Sequence, residues 1–149
     1  MATEQEVLAR PRGANFTGFQ VAHIFPLAGV GSLEWLSGMT AATRSLVQTR
    51  KLADRPLNAT LLQADIHALF DDYQWSIWIE SDGTQRMVRF EKSGAPSLDQ
   101  YESVVQWSPE TLAATNGPNL DLVRHHFYVA LVTHFRGFGR RGRAGATML

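Results

Sequence analysis

Asn58 to Ile77, NATLLQADIHALFDDYQWSI, is the stretch whose reading decides the fold. Its hydrophobic period changes twice. Leu57 to Gln63 is β-compatible and follows Pro56, which suits a short strand entered from a turn. Ala64 to Asp72 then reads as a helix, with Ile66, Leu69 and Phe70 as its apolar stripe and Asp65 in the first turn or at the cap. From Tyr73 to Glu80 the period becomes two. Tyr73, Trp75, Ile77 and Ile79 fall on one face, and Gln74, Ser76, Trp78 and Glu80 on the other. Ser81-Asp82-Gly83-Thr84 is a turn signal, so Arg86 to Phe90 is expected to return as the second strand of a hairpin.

Upstream, Gln20 to Pro26 (QVAHIFP) suits a short strand that a proline stops. Gly29, Gly31 and Ser32 mark a loop. Leu36, Met39, Thr43, Leu46, Val47 and Arg50 then follow helical spacings, which predicts one helix over Leu33–Leu52, broken by Asp54-Arg55-Pro56. Downstream, Ser93–Ser97 reads as a loop, Ser97-Leu98-Asp99 as a short helix or turn, and Pro109–Ala113 as one helical turn capped by Ser108. Leu120 to Phe135 is the best-marked helix, with Asp121 near its start and Gly137 beyond its expected end. The expected organisation is a flexible lead-in over 1–15, a single domain over 16–139 and a flexible Arg/Gly tail over 140–149.

The ordered residues His23, Asn58 and His67, on a strand, a second strand and the following helix, carry a resemblance. AHIFP at Ala22–Pro26 and the segment Asn58–Ile77 resemble the HNH endonuclease family in its fungal-type form: Asn, a Leu pair, Asp-x-His, then Leu-Phe-Asp and a hairpin. LVRHHFYVALVTHFRGFG is similar to the terminal helix attached to such domains. The resemblance implies an α+β fold, with an HNH-like ββα-metal core, an added β-hairpin and a long C-terminal helix. It implies metal-dependent hydrolysis of DNA, with His23 as general base, Asn58 fixing the loop and orienting the His23 ring, and His67 as metal ligand. Asp71 lies four residues after His67, on the same helix face, and is a second candidate ligand by geometry. Asp65 should point elsewhere and serve the helix start. Many members place an acid or histidine before the general base; Ala22 stands there. A metal on His67, Asp71, water and substrate phosphate suits Mg²⁺ best, with Mn²⁺ or Zn²⁺ as alternatives.

Composition narrows the partners. The chain of 149 residues has 14 Lys+Arg against 14 Asp+Glu, a formal net charge of zero, which excludes a polybasic binder that works by bulk charge. The zero conceals an acidic Pro56–Gln85 segment and a basic end with Arg136, Arg140, Arg141 and Arg143, candidate phosphate contacts. There are no cysteines, hence neither a disulfide framework nor a thiolate metal site. The N-terminus lacks the pattern of a signal peptide, and the apolar runs Val21–Val30 and Phe127–Val132 are too short to span a bilayer. An intracellular protein, cytoplasmic or nuclear and not secreted, is expected.

Two further readings stay open. Ala22, the neutral charge and the aromatic content fit a repurposed HNH-like scaffold, a metal-independent cyclase or isomerase acting on a small organic substrate in an aromatic-lined pocket. The apolar VALV run of the last helix fits a non-catalytic module or homodimer. His125, His126 and His134 read as structural histidines bonded to backbone or Tyr. An exposed Trp78 would suit base stacking or an organic ligand.

Overall fold

A computed structural model describes residues 18–90, 103–107 and 117–148. The expected lead-in, the 93–97 loop and the turns at 97–99 and 109–113 lie outside these residues. Strand β1 (Phe19–His23) pairs antiparallel with β2 (Ala59–Gln63), placing His23 opposite Ala59 and Gln20 opposite Leu62. Helix α4 (Ala64–Asp71) follows β2 directly and packs on both strands. The three elements form the ββα unit. A hairpin of β3 (Trp75–Ile79) and β4 (Gln85–Arg89) comes next, and the long helix α5 (Leu120–Met148) lies on β3. The fold is α+β, with the ββα core, hairpin and long terminal helix in the expected order.

Alternation explains what is buried. Ala22, Leu62, Ile66, Phe70, Trp75 and Ile77 meet in one core with Leu122 and Val123 of α5. The indole N–H of Trp75 donates to the Ile66 carbonyl at 3.0 Å, so the hairpin is bonded to the helix as well as packed on it. Between α4 and β3 the chain turns through Tyr73, a non-glycine residue in the left-handed region with φ 56°. The strand expected to start at Tyr73 therefore begins at Trp75.

The single helix expected over Leu33–Leu52 is corrected to three short ones: α1 (Leu33–Leu36), α2 (Ala41–Leu46) and α3 (Arg50–Ala53). Each starts at a hydroxyl cap, where Ser32, Thr40 and Thr49 accept the backbone N–H three residues on. Gly38, at φ 81°, turns the chain between α1 and α2. The apolar residues keep helical spacing across the breaks, which is why periodicity merged the pieces. Helix α5, by contrast, runs on through Gly137 to Met148 where a stop after Phe135 was expected. A helical Gly costs about 1 kcal/mol relative to Ala, and Arg, Ala and Met are good helix formers, so the glycines need not end it.

Candidate functional site

His23 closes β1, and its ring emerges where the chain leaves the sheet. Its Nε2 donates to Asp54 Oδ1 at 2.9 Å. Asp54 caps the C-terminal end of α3 and holds that end through its own N–H to the Arg50 carbonyl at 2.9 Å. Arg55 ties the same turn down, donating from Nε to the Leu52 carbonyl at 2.6 Å and from Nη2 to the Leu46 carbonyl at 3.3 Å.

Asn58 is fully buried and uses its whole amide. Oδ1 accepts the Phe25 N–H at 2.7 Å, while Nδ2 donates to the Phe25 carbonyl at 2.8 Å and to the Ala53 carbonyl at 2.9 Å. Its own carbonyl accepts the Ile24 N–H at 2.9 Å. It therefore fixes the loop after His23, and in the same stroke the residue before Asp54. Asn58 reaches the His23 ring through these two loops, not by touching it.

His67 lies one turn into α4. Its Nε2 is 3.0 Å from Asp71 Oδ2, and its Nδ1 is 2.8 Å from Gln20 Oε1. Gln20 shares with Ala22 the strand face that α4 covers. An amide oxygen only accepts, so Nδ1 carries the hydrogen and the Nε2 lone pair faces the Asp71 carboxylate. Two electron-rich atoms at that separation call for a positive charge between them, a proton or a metal ion. His67 Nε2 and Asp71 Oδ2 are thus, among the described residues, a donor pair that could hold a cation, with Gln20 setting the His67 tautomer. Ala22 is fully buried in the core beneath α4, so position 22 adds no donor. Among the described residues no group of three or more His, Asp or Glu converges on a metal position. Asp65 serves the helix start, with Oδ1 accepting the Ile66 N–H at 2.9 Å.

His23, His67 and Asp71 border one cleft of about 380 Å³. Tyr73 and His126 also line it, and Val21, Leu27 and Trp35 contribute apolar lining. Burial raises the Tyr73 phenol well above its usual range, helped by the Asp71 carboxylate, so it faces the cleft as a neutral hydroxyl. Burial likewise holds His126 neutral, down to about 3. Its Nε2–H donates to the Phe70 carbonyl at 3.2 Å, which leaves Nδ1 to accept the Ser76 hydroxyl at 2.6 Å.

Sequence reasoning missed Asp54 and Gln20. Asp54 is read from the sequence only as part of a chain break, and Gln20 only as the first residue of the expected strand; each meets its histidine across a long sequence separation. Of the candidate phosphate contacts, Arg136 is exposed on α5 and 3.8 Å from Glu34. Arg140, Arg141 and Arg143 lie on the last turns of the helix, beyond the described side chains. Trp78 is half exposed and packs against Phe127, with ring centroids 5.0 Å apart. Among the described residues no helix is long and apolar enough to cross a membrane.

Residues 5–78, which contain the whole ββα unit and most of β3, match the family model described as HNH endonuclease. With that match over the ββα unit, the chain belongs to the HNH endonuclease family. Searches of curated proteins and of solved structures give no match.

Proposed function

We propose that the protein is a metal-dependent nuclease that hydrolyses DNA phosphodiester bonds with His23 as general base. The observation that carries this reading is the convergence of His23 and the His67–Asp71 pair on one cleft, from segments far apart in the chain. Nδ1 of His23 makes no hydrogen bond among the described residues and is the nitrogen that takes a proton from water. As it does so, the water oxygen attacks phosphorus and the bond to the leaving oxygen breaks. His67 and Asp71 would hold a divalent ion, Mg²⁺ by preference and Mn²⁺ or Zn²⁺ otherwise, which would supply positive charge to the scissile phosphate. Asp71 and Asp72 support this placement: they stand at the C-terminal end of α4, where the helix dipole disfavours anions and a bound cation offsets the cost. Arg136, Arg140, Arg141 and Arg143 are assigned to backbone phosphates.

Supercoiled plasmid incubated with the protein and Mg²⁺, Mn²⁺ or Zn²⁺ should be nicked or cut. Chelator should stop the reaction, and His23→Ala should reduce it by at least about a hundredfold. Equal cleavage by His23→Ala refutes the reading, as does inactivity with every metal.

One observation favours a second reading. The cleft wall of Val21, Ile24, Pro26, Leu27, Ala28 and Trp35 is apolar, and among the described residues no Lys or Arg lines it. That surface suits a small organic substrate held beside His23 and His67 for metal-independent acid/base chemistry. Saturable binding of small aromatic compounds, unaffected by chelator and lost in Trp35→Ala, together with inert behaviour toward DNA, would establish it instead.

A further inference from the structure

We propose that Asp54 is a positioning residue that fixes which nitrogen of His23 accepts the proton. This rests on the reading of His23 as general base. A carboxylate oxygen can only accept, so the contact at 2.9 Å places the ring hydrogen on Nε2 and leaves the Nδ1 lone pair as the base. When Nδ1 takes the proton of water, the ring becomes an imidazolium. Its Nε2–H already faces the Asp54 carboxylate, which opposes the new positive charge without itself becoming protonated.

The backbone argues that this pairing is built and not a chance surface contact. The side chain of Asp54 is 66% exposed, and an isolated pair at that exposure would be weak. Its backbone, however, is set by the end of α3, and the residue before it is bonded to Asn58. The same Asn58 amide holds Phe25, two residues after His23, by two bonds. One buried side chain thus registers the His23 loop against the Asp54 loop. Asn58, expected to orient the His23 ring, does so by bringing Asp54 to it.

The test uses the full chain, metal-free and labelled with ¹⁵N histidine, at a pH where the His23 ring is neutral. His23 is assigned by comparison with His23→Ala. In the native protein, long-range ¹H–¹⁵N correlations should show His23 Nε2 protonated and Nδ1 bare. In Asp54→Ala both nitrogens should move toward averaged shifts as the two tautomers mix, and Asp54→Glu should restore the native pattern. Identical ring shifts in the native protein and Asp54→Ala overturn the proposal, as does a protonated Nδ1 in the native protein. In plasmid cleavage with Mg²⁺, Asp54→Ala should lower kcat about tenfold and leave KM within about twofold, and Asp54→Glu should recover most of the loss. Unchanged kcat in Asp54→Ala overturns it as well. If the native protein cleaves nothing, the nuclease reading falls, and the ring shifts alone decide whether Asp54 sets the tautomer.

Discussion

Asn58 donates two hydrogen bonds and accepts one inside a site that no solvent reaches. Its three partners are backbone groups of the buried residues Phe25 and Ala53, and this amide satisfies them. Asn58→Ala strands the Phe25 N–H and two carbonyls. At roughly 1–3 kcal/mol for each buried orphan, a loss of about 3–9 kcal/mol is expected. Asn58→Asp preserves the shape but faces two carbonyl oxygens, at 2.8 and 2.9 Å, with a carboxylate that has no donor for them. It also buries a charge beside those oxygens. The near-isosteric change should therefore be the more damaging at neutral pH. Urea unfolding should rank the proteins native, then Asn58→Ala, then Asn58→Asp; an Asp variant as stable as the native protein would show that the donor side of the amide contributes little.

At the scale of elements, the segment between β1 and β2 is folded to carry Asp54 back to the sheet, and Gly38 is one of its hinges. Gly38 has φ 81°, and a Cβ built there would lie 2.6 Å from Cε1 of Tyr128. Gly83, in the hairpin turn, has φ 89° but open space around it. Gly83→Ala pays only for the left-handed backbone, about 1 kcal/mol, whereas Gly38→Ala must also displace the Tyr128 ring that docks α5. Thermal melts should show a clearly larger fall in Tm for Gly38→Ala than for Gly83→Ala, and equal falls would remove Gly38 from the α5 contact. The same segment separates what periodicity could read from what it could not. The strands at 19–23 and 59–63, helix α4 and the hairpin follow from runs of period two or 3.6 bounded by Pro and Gly. The merged helix came from trusting that period over the hydroxyl caps Ser32, Thr40 and Thr49, which were the stop and start signals. His67 and Asp71 could be paired from the sequence because they are neighbours on one helix. The partners Asp54 and Gln20 could not, since each reaches its histidine only after β1, β2 and α4 have packed.

Across the whole molecule, α5 is fastened to helix α4 and to the turns after α1 and after α4 by imidazoles that donate to backbone carbonyls. His125 Nε2 donates to Ser37 at 3.1 Å, His126 Nε2 to Phe70 at 3.2 Å and His134 Nε2 to Tyr73 at 2.7 Å. His126 also stacks on Phe70, with ring centroids 3.8 Å apart, so the helix that carries His67 and Asp71 is gripped from behind by a buried ring. The grip has a pH dependence of fixed sign. Burial lowers the affinity of His126 for a proton to about 3, against its bond to Phe70 and aided by the neighbouring His125, while an unfolded histidine titrates near 6.5. Above about pH 6.5 neither state binds the proton and this term is flat. Between about 6.5 and 3 the unfolded chain takes up a proton that the native one refuses, so stability falls with pH by up to about 1.4 kcal/mol per unit from this group. His125, lowered by its own burial, acts in the same direction. Urea unfolding at pH 7 and pH 4.5 should therefore show a loss of roughly 2–3 kcal/mol attributable to His126. In His126→Gln, which is less stable at pH 7 but has no proton to gain, that part of the slope should vanish. An undiminished slope in the variant would mean that the buried imidazole is not what makes the docked helix acid-sensitive.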